Sequence, residues 1–347
     1  MVRGLVKTVM LSLLCVQSAS AAVILMYHHI DADTPPATSV TPEQFAGNLD
    51  SLAAEGFEVV RLDELIERVR SGADPRQKLA AITFDDAYRS IYEAGLPALE
   101  ARGWKGAVFI NTGGVGEAGR AMTRAMIADA HQRGHLLLNH SQSHPHMVRR
   151  LPEETEQEWL ARIRTDIESG RRQLGEWLGE QPLPWLAWPY GEQSAPLRAM
   201  LKDMGYLAFG QQSGALDEHI DWQNIPRIPV NGLHADWRSL RDKVLALPFP
   251  VRTTVPADGV TSEPRPSLTL LLNGDWRGRN IQCFAGPRFA APTVRFSDGV
   301  SELTLRSEVD IPVGRSRYNC TAAAGDGRFH WYSWVWMRPD GEQWYAE

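Results

Sequence analysis

The sequence predicts an α/β chain whose parallel sheet closes, or nearly closes, into a barrel, with a small all-β unit behind it. Three observations carry this. Strand-like and helix-like segments alternate about seven times from Val23 into the mid-240s, the pattern of a parallel sheet covered by helices. The strand-like segments are short apolar runs ending in polar residues, as expected of strands buried on both faces. Beyond Pro248 the helical periodicity gives way to alternating or apolar runs between turn residues. A doubly wound open sheet is the alternative, but no glycine-rich phosphate loop follows the first strand-like run.

With 347 residues, 43% of them hydrophobic, the chain is long enough for one large domain and a small one. Its formal net charge of −6 offers no basic stripe for nucleic acid. Residues 1–22 read as a signal peptide outside the fold. Arg3 and Lys7 precede an apolar Val9–Val16 core, and Ala19-Ser20-Ala21 is an A-x-A cleavage site. That core is too short to span a bilayer, and Leu14 before Cys15 argues against a lipoprotein signal. The expectation is export, to the periplasm or the medium, with no transmembrane anchor. Cys283 and Cys320 then remain, and an even pair in an oxidising compartment suggests one disulfide.

The first predicted strand, from Val23, runs to Tyr27-His28-His29-Ile30. Thr41-Pro42-Glu43 starts a helix that runs to Gly56, with the cap followed by proline at the first position. A strand at Phe57–Leu62 and a helix at Asp63–Arg70 come next. Further strands are predicted at Gly106–Asn111, His135–Asn139, Leu186–Trp188, Tyr206–Gly210 and Ile225–Val230. The helices between them are Tyr88–Arg102, Thr123–Arg133, Pro152–Leu178 with a break near Gly170, and Ala195–Met204. Asp236–Leu245 is the last. The large domain is thus expected at 23–247. Residues 248–266, with five prolines, read as a linker, and 267–347 as a small β-sandwich.

Two clusters carry chemistry. Leu79-Ala80-Ala81-Ile82-Thr83-Phe84 runs straight into Asp85-Asp86, so a buried strand delivers two carboxylates to the rim where such folds build sites. Adjacent carboxylates repel, and a metal, a cation or a shared proton must hold the charge. A helix N-cap is the plainer reading. About fifty residues on comes Asn139-His140-Ser141-Gln142-Ser143-His144-Pro145-His146. Pro145 disfavours a helix at His144, so His140 belongs at a strand end and His144 in the turn after it. One carboxylate and two imidazoles leave a coordination position open, the layout of a catalytic metal site. A solvated histidine-rich loop is the bland alternative.

Thr83-Phe84-Asp85-Asp86 with His140-Ser141-Gln142-Ser143-His144-Pro145 resembles the first two motifs of the polysaccharide deacetylases, carbohydrate esterase family four. Trp188-Pro189-Tyr190-Gly191 is similar to the family's third motif. The resemblance covers roughly residues 23–245 and implies a distorted (β/α) barrel that removes acetyl groups from sugars with a divalent metal. Carried over by position, it makes Asp86, His140 and His144 the metal ligands and Asp85 the general base. The Tyr190 backbone N–H would help bind the oxyanion, next to Gly191. Zinc suits two imidazoles and a carboxylate, with cobalt or nickel as substitutes.

Two departures bear on that reading. Many members carry an arginine two residues before the motif's proline, where it orients the base; here that place is Ala187. The family's general-acid histidine usually sits late, where His234 is the candidate. The early Met26-Tyr27-His28-His29 instead resembles the branch that deacetylates exported poly-β-1,6-N-acetylglucosamine, whose acid histidine lies on the first strand. His28 is therefore the expected acid. The implied partners are a polysaccharide bearing N-acetylglucosamine and exopolysaccharide export machinery.

The chemistry holds together on its own terms. A bound cation acidifies water, a carboxylate takes the second proton, and an imidazole opposite protonates the leaving amine. Trp188, Tyr190 and Trp222 offer flat faces for sugar rings. Along Trp331–Trp336 a period of two sets Tyr332, Trp334 and Trp336 on one face, either sandwich core or a sugar platform. An N-deacetylase, an O-acetyl esterase and a non-catalytic glycan-binding protein are the three functions to separate. Asp85 beside a complete ligand set argues against the last, since binding alone needs no base.

Overall fold

The computed structural model describes residues 21–72, 77–116, 119–341 and 344. Eight strands form one parallel sheet. In spatial order seven of them are Ile228–Pro229, Ala21–Tyr27, Lys78–Phe84, Ala107–Ile110, Leu136–Asn139, Trp185–Ala187 and Leu207–Phe209. The eighth, Glu58–Val59, shares an edge of Lys78–Phe84 with Ala107–Ile110. It pairs with Leu79 and Ala80, while Ala107 and Val108 pair with Thr83 and Phe84. The two ends of the sheet are bridged by one segment: Ile225 pairs with Phe209, and three residues later Ile228 pairs with Leu25. That makes the distorted (β/α) barrel expected from the alternation.

Strands buried on both faces need apolar residues at every position, and every residue of Leu79–Phe84 and Ala107–Ile110 is buried. The helices of the barrel start where capping chemistry allows. Thr41, Thr123 and Thr155 each accept a hydrogen bond from the third helical N–H. Because all strands point the same way, their carboxyl ends share one rim, and the ladder reaches into the site. Asp85 N–H donates to Tyr27 O at 3.0 Å and His140 N–H to Ile110 O at 2.9 Å.

Several sequence expectations need correcting. Of the signal peptide expected at 1–22, residues 1–20 lie outside the described residues, while Ala21 and Ala22 belong to the first strand. Ala22 pairs with Leu79, so the first strand takes in two residues that the cleavage pattern placed outside the fold. The helix predicted from Tyr88 begins at Ile91 with a π-turn to Gly95. The long helix is unbroken from Glu156 to Leu178, and Gly170 is explained by contact rather than by a kink.

Residues 248–266 are not a free linker. Val251–Val255, rich in β-branched residues, pairs antiparallel with Ser267–Asn273 and is an edge strand. Its proline-rich flanks hid it. The all-β part has two sheets, one ordered Leu247–Pro248, Phe329–Arg338, Gly314–Ala323, Ile281–Ala285, Arg288–Ala290. The other is ordered Val251–Val255, Ser267–Asn273, Val300–Arg306, Thr293–Ser297. The Cys283–Cys320 disulfide joins directly opposed residues of neighbouring strands inside this core. Tyr332, Trp334 and Trp336 pack into the same core and are not a sugar platform.

Residues 333–337 of the strand Phe329–Arg338 are buried on both faces. The strand's opposite face sends Val335 and Met337 into a cluster with Trp159, Trp188 and Leu197 of the barrel. Each fully buried side chain of this kind contributes about 1.5–3 kcal/mol, so the sandwich is packed onto the barrel and is not merely tethered to it.

Candidate active site

The turn after Phe84 departs sharply from strand geometry. Asp86 and Ala87 take φ of 72° and 51°. Ser141, His144 and Tyr190 also have positive φ, so five of the seven such non-glycine positions among the described residues lie at this rim. Each costs of order 1–3 kcal/mol, and that strain aims the side chains inward. Asp86 is not a helix cap.

Asp86, His140 and His144 bring one ligand atom each to within 4.8 Å of the others. His140 Nε2 and His144 Nε2 lie 3.3 and 3.2 Å from Asp86 Oδ1. His140 Nε2 and Asp86 Oδ1 are both buried and neither has an aligned hydrogen-bond partner. Buried polar atoms are normally satisfied, and two orphans facing each other beside a second imidazole fit a divalent cation. The His140 ring is set for that role, because Nδ1 contacts Ala187 O at 2.8 Å, fixing Nε2 as the atom turned inward.

The loop that carries the histidines is clamped on two sides. Asp166 accepts from the Gln142 and Ser143 N–H groups at 3.2 Å and from the Ser143 hydroxyl at 2.7 Å. Thr112 N–H and Gly113 N–H donate to Ser141 O and Gln142 O. A Cβ at Gly170 would sit 2.6 Å from Ser141 C, and one at Gly113 2.7 Å from Gln142 O. Those two glycines let a helix and a turn approach the loop this closely.

Asp85 is fully buried behind this cluster, and Arg227 holds it. The guanidinium nitrogens Nη1 and Nη2 each donate to one carboxylate oxygen at 2.7 Å, while Nε donates to Gly210 O at 2.8 Å. Burial alone would raise the Asp85 carboxyl, but Arg227, aided by His140, outweighs it and holds the group below its ordinary value. Burial likewise opposes charge on Asp86, and the two imidazoles hold it well below the usual range.

With Ala187 where many family members carry the orienting arginine, the tuning of Asp85 comes from elsewhere in the chain. The arginine arrives from the segment that bridges the sheet ends, in Ile225-Pro226-Arg227-Ile228-Pro229. A charged residue inside a buried strand-like run was the available signal, since a buried guanidinium demands a carboxylate.

His28 follows the first strand and reaches Asp86 Oδ2 at 4.0 Å from Nε2. His29 beside it stacks on Tyr88, ring centroids 3.5 Å apart. His28, Asp86, His144, Tyr190 and Gly191 all line one cleft of about 1310 Å³. His234 lines it too, on an exposed turn. Tyr190 stacks on His146 at 4.0 Å with the planes 7° apart, and His146 Nδ1 meets the buried Glu192 at 3.0 Å.

Trp188, expected to face a sugar, is instead fully buried, its indole N–H donating to Gln223 O at 2.9 Å. An apolar strand end was misread as rim. Trp222 packs against the barrel core under Arg70 and does not line the cleft. The opposite wall comes from the sandwich, which sequence reasoning did not foresee: Arg315 donates to Tyr190 O, and Arg317 to Gln211 O at 3.1 Å.

Fold and site together define a (β/α) barrel with a two-histidine, one-carboxylate cluster on its carboxyl-end rim. Residues 72–209 match the Polysaccharide deacetylase family model, and this part of the chain is a polysaccharide deacetylase domain. It contains Asp85, Asp86, His140, His144 and Tyr190, whereas His28 and Arg227 lie outside the matched segment. The chain is 24% identical over 135 residues to YxkH of Bacillus subtilis (strain 168), provisionally named a polysaccharide deacetylase. The match takes in 39% of this chain and 47% of that protein, so the chain spans about half the length of this curated relative.

IcaB from Ammonifex degensii superposes with a TM-score of 0.56 at 21% identity, over 65% of this chain and 99% of that one. A de-N-acetylase from Aggregatibacter actinomycetemcomitans superposes with a TM-score of 0.56 at 14% identity, over 64% and 99%. Identities this low speak for the fold. No helix among the described residues is long and apolar enough to cross a membrane.

Proposed function

We propose that this protein is a metal-dependent hydrolase that removes N-acetyl groups from an exported or cell-wall polysaccharide, with poly-N-acetylglucosamine as the simplest candidate. The observation that carries the reading is the orphaned pair His140 Nε2 and Asp86 Oδ1, with His144 beside it and a buried, Arg227-held Asp85 behind. Glycan binding alone would need neither. The early-histidine motif and the fold shared with a de-N-acetylase favour the amide over the ester substrate.

A divalent cation held by Asp86, His140 and His144, zinc before cobalt or nickel, supplies Lewis acidity toward water and the acetyl carbonyl when bound. Asp85 accepts a proton from the attacking water, and the Arg227 fork keeps it ionised and oriented for that task. His28 stands across Asp86 and delivers a proton to the leaving nitrogen. The Tyr190 backbone N–H, in a turn held by Arg315, meets the developing oxyanion. An N-terminal signal pattern and a buried disulfide favour action outside the cytoplasm, near exopolysaccharide export machinery.

The test of this reading is the leaving group. An amine departs only when protonated, whereas the phenolate of an aryl acetate leaves unaided. His28→Ala should therefore lose acetate release from an N-acetylglucosamine oligomer by about 10²-fold or more while keeping most of its aryl-acetate hydrolysis. Selective loss in His234→Ala instead, with His28→Ala unaffected, would transfer the acid role to the late histidine. Equal losses on both substrates would remove the acid role from His28.

A further inference from the structure

The cleft is charged against the grain of the protein. The chain carries a net −6, yet the lining includes Arg120, Lys243, Arg315 and Arg317 and, among the described residues, one carboxylate, Asp86, which belongs to the metal cluster. Lys243 comes from the barrel helix Trp237–Val244 and Arg317 from the sandwich strand Gly314–Ala323, so the two line one cleft only because the parts pack together. No ion pair joins either to a carboxylate among the described residues. Burial, and then the neighbouring Arg317, holds the Lys243 ammonium below its ordinary value.

Lys243 is half-buried and Arg317 exposed, and a partly buried ammonium without a counter-charge is costly. Here it stands beside an aromatic face. Lys243 Nζ lies 5.9 Å from the Trp331 ring centroid, near the limit of a useful cation–π contact. Trp331 donates its indole N–H to Ser333 Oγ at 3.0 Å, which fixes the ring, and both residues line the cleft. A flat ring beside an ammonium, in a cleft that an exposed guanidinium also lines, is a place for a sugar that carries a negative charge.

We infer that Lys243, Arg317 and Trp331 form an anionic-sugar subsite, so that the polysaccharide deacetylated here bears acidic groups on sugars near the one that loses its acetyl. This inference rests on the reading of the cleft as a glycan deacetylase site and specifies the substrate class. The ring of Trp331 holds the sugar, and the two cations hold its carboxylate or phosphate. A cationic groove in an acidic protein also steers such a polymer to the rim.

The test uses three oligosaccharides of equal length with metal-loaded protein. One is a neutral N-acetylglucosamine oligomer, one alternates N-acetylglucosamine with glucuronate, and one is a phosphodiester-linked N-acetylglucosamine oligomer. At low salt the wild type should favour an anionic oligomer by about tenfold in kcat/KM, the scale of one charge-assisted contact. Which anionic oligomer wins identifies the source of the charge. Raising the salt to roughly 0.5 M should shrink the preference. Lys243→Gln and Arg317→Gln should each lower the anionic-to-neutral ratio several-fold, and Arg317→Lys should retain more of it than Arg317→Gln.

Equal kcat/KM on all three, with acetate released, would overturn the subsite and leave the deacetylase reading standing. Acetate from none of them, with binding of an anionic oligomer that Lys243→Gln weakens, would overturn the deacetylase reading and uphold the subsite. Neither release nor binding would overturn both.

Discussion

Replacing Arg227 by methionine should cost the fold about 3–5 kcal/mol, the loss expected when one partner of a buried ion pair is removed. Both side chains are fully buried, and the guanidinium gives Asp85 two bonds of 2.7 Å while its Nε closes on Gly210 O. Methionine fills much of the volume but leaves a buried carboxylate without the guanidinium that holds both its oxygens. For a chain of ordinary marginal stability that is a large share of the total. Arg227→Lys should recover part of it, since an ammonium supplies charge without the two-pronged fit. Denaturant unfolding of the two variants and the wild type makes the comparison. A loss below about 1 kcal/mol in Arg227→Met, the range of an exposed pair, would mean that Asp85 does not depend on this arginine.

Among variants that keep the metal, the largest catalytic effect should come from Asp85→Asn. Asparagine keeps the shape and one acceptor for Arg227 but cannot take a proton, so turnover should fall by about 10²–10⁴-fold, the contribution of a positioned general base. Metal content should persist, because the donors within 4.8 Å of one another are Asp86, His140 and His144. Asp85→Asn also leaves part of the Arg227 charge uncompensated, so some stability should go with the activity, and turnover must be measured well below the melting transition. Turnover within a few-fold of wild type, with metal retained, would show that the wrong carboxylate of the pair has been assigned as base.

The sequence made the barrel and the coming together of Asp86, His140 and His144 legible for a local reason. Buried parallel strands are short apolar runs, and the residues just past the end of each run land on the rim, so Asp85, Asp86, His140 and His28 were found at strand ends. Residues that act across the fold were not legible in this way. Arg227 is 142 residues from Asp85, and only the closure of the sheet brings them together. Gly170 looked like a helix break because sequence reveals a glycine's backbone freedom but not the loop pressed against it.

Trp188 shows the opposite failure, since an aromatic at a strand end points to rim or core according to its register, and here Phe209 O captures its N–H and the core its ring. The sandwich wall was invisible for the same reason as Arg227. The strand Val251–Val255 lay hidden between prolines, and nothing in a β-rich tail says which face of a barrel it will cover.

The most direct test of the account is acetate release from an N-acetylglucosamine oligomer by protein stripped of metal with a chelator. The stripped wild type should release none and recover when zinc or cobalt is returned, while His140→Ala and His144→Ala should neither retain the metal nor recover at the same concentration. Undiminished acetate release from the stripped wild type, or full metal content in either histidine variant, would contradict the assignment of Asp86, His140 and His144 as the centre of the site.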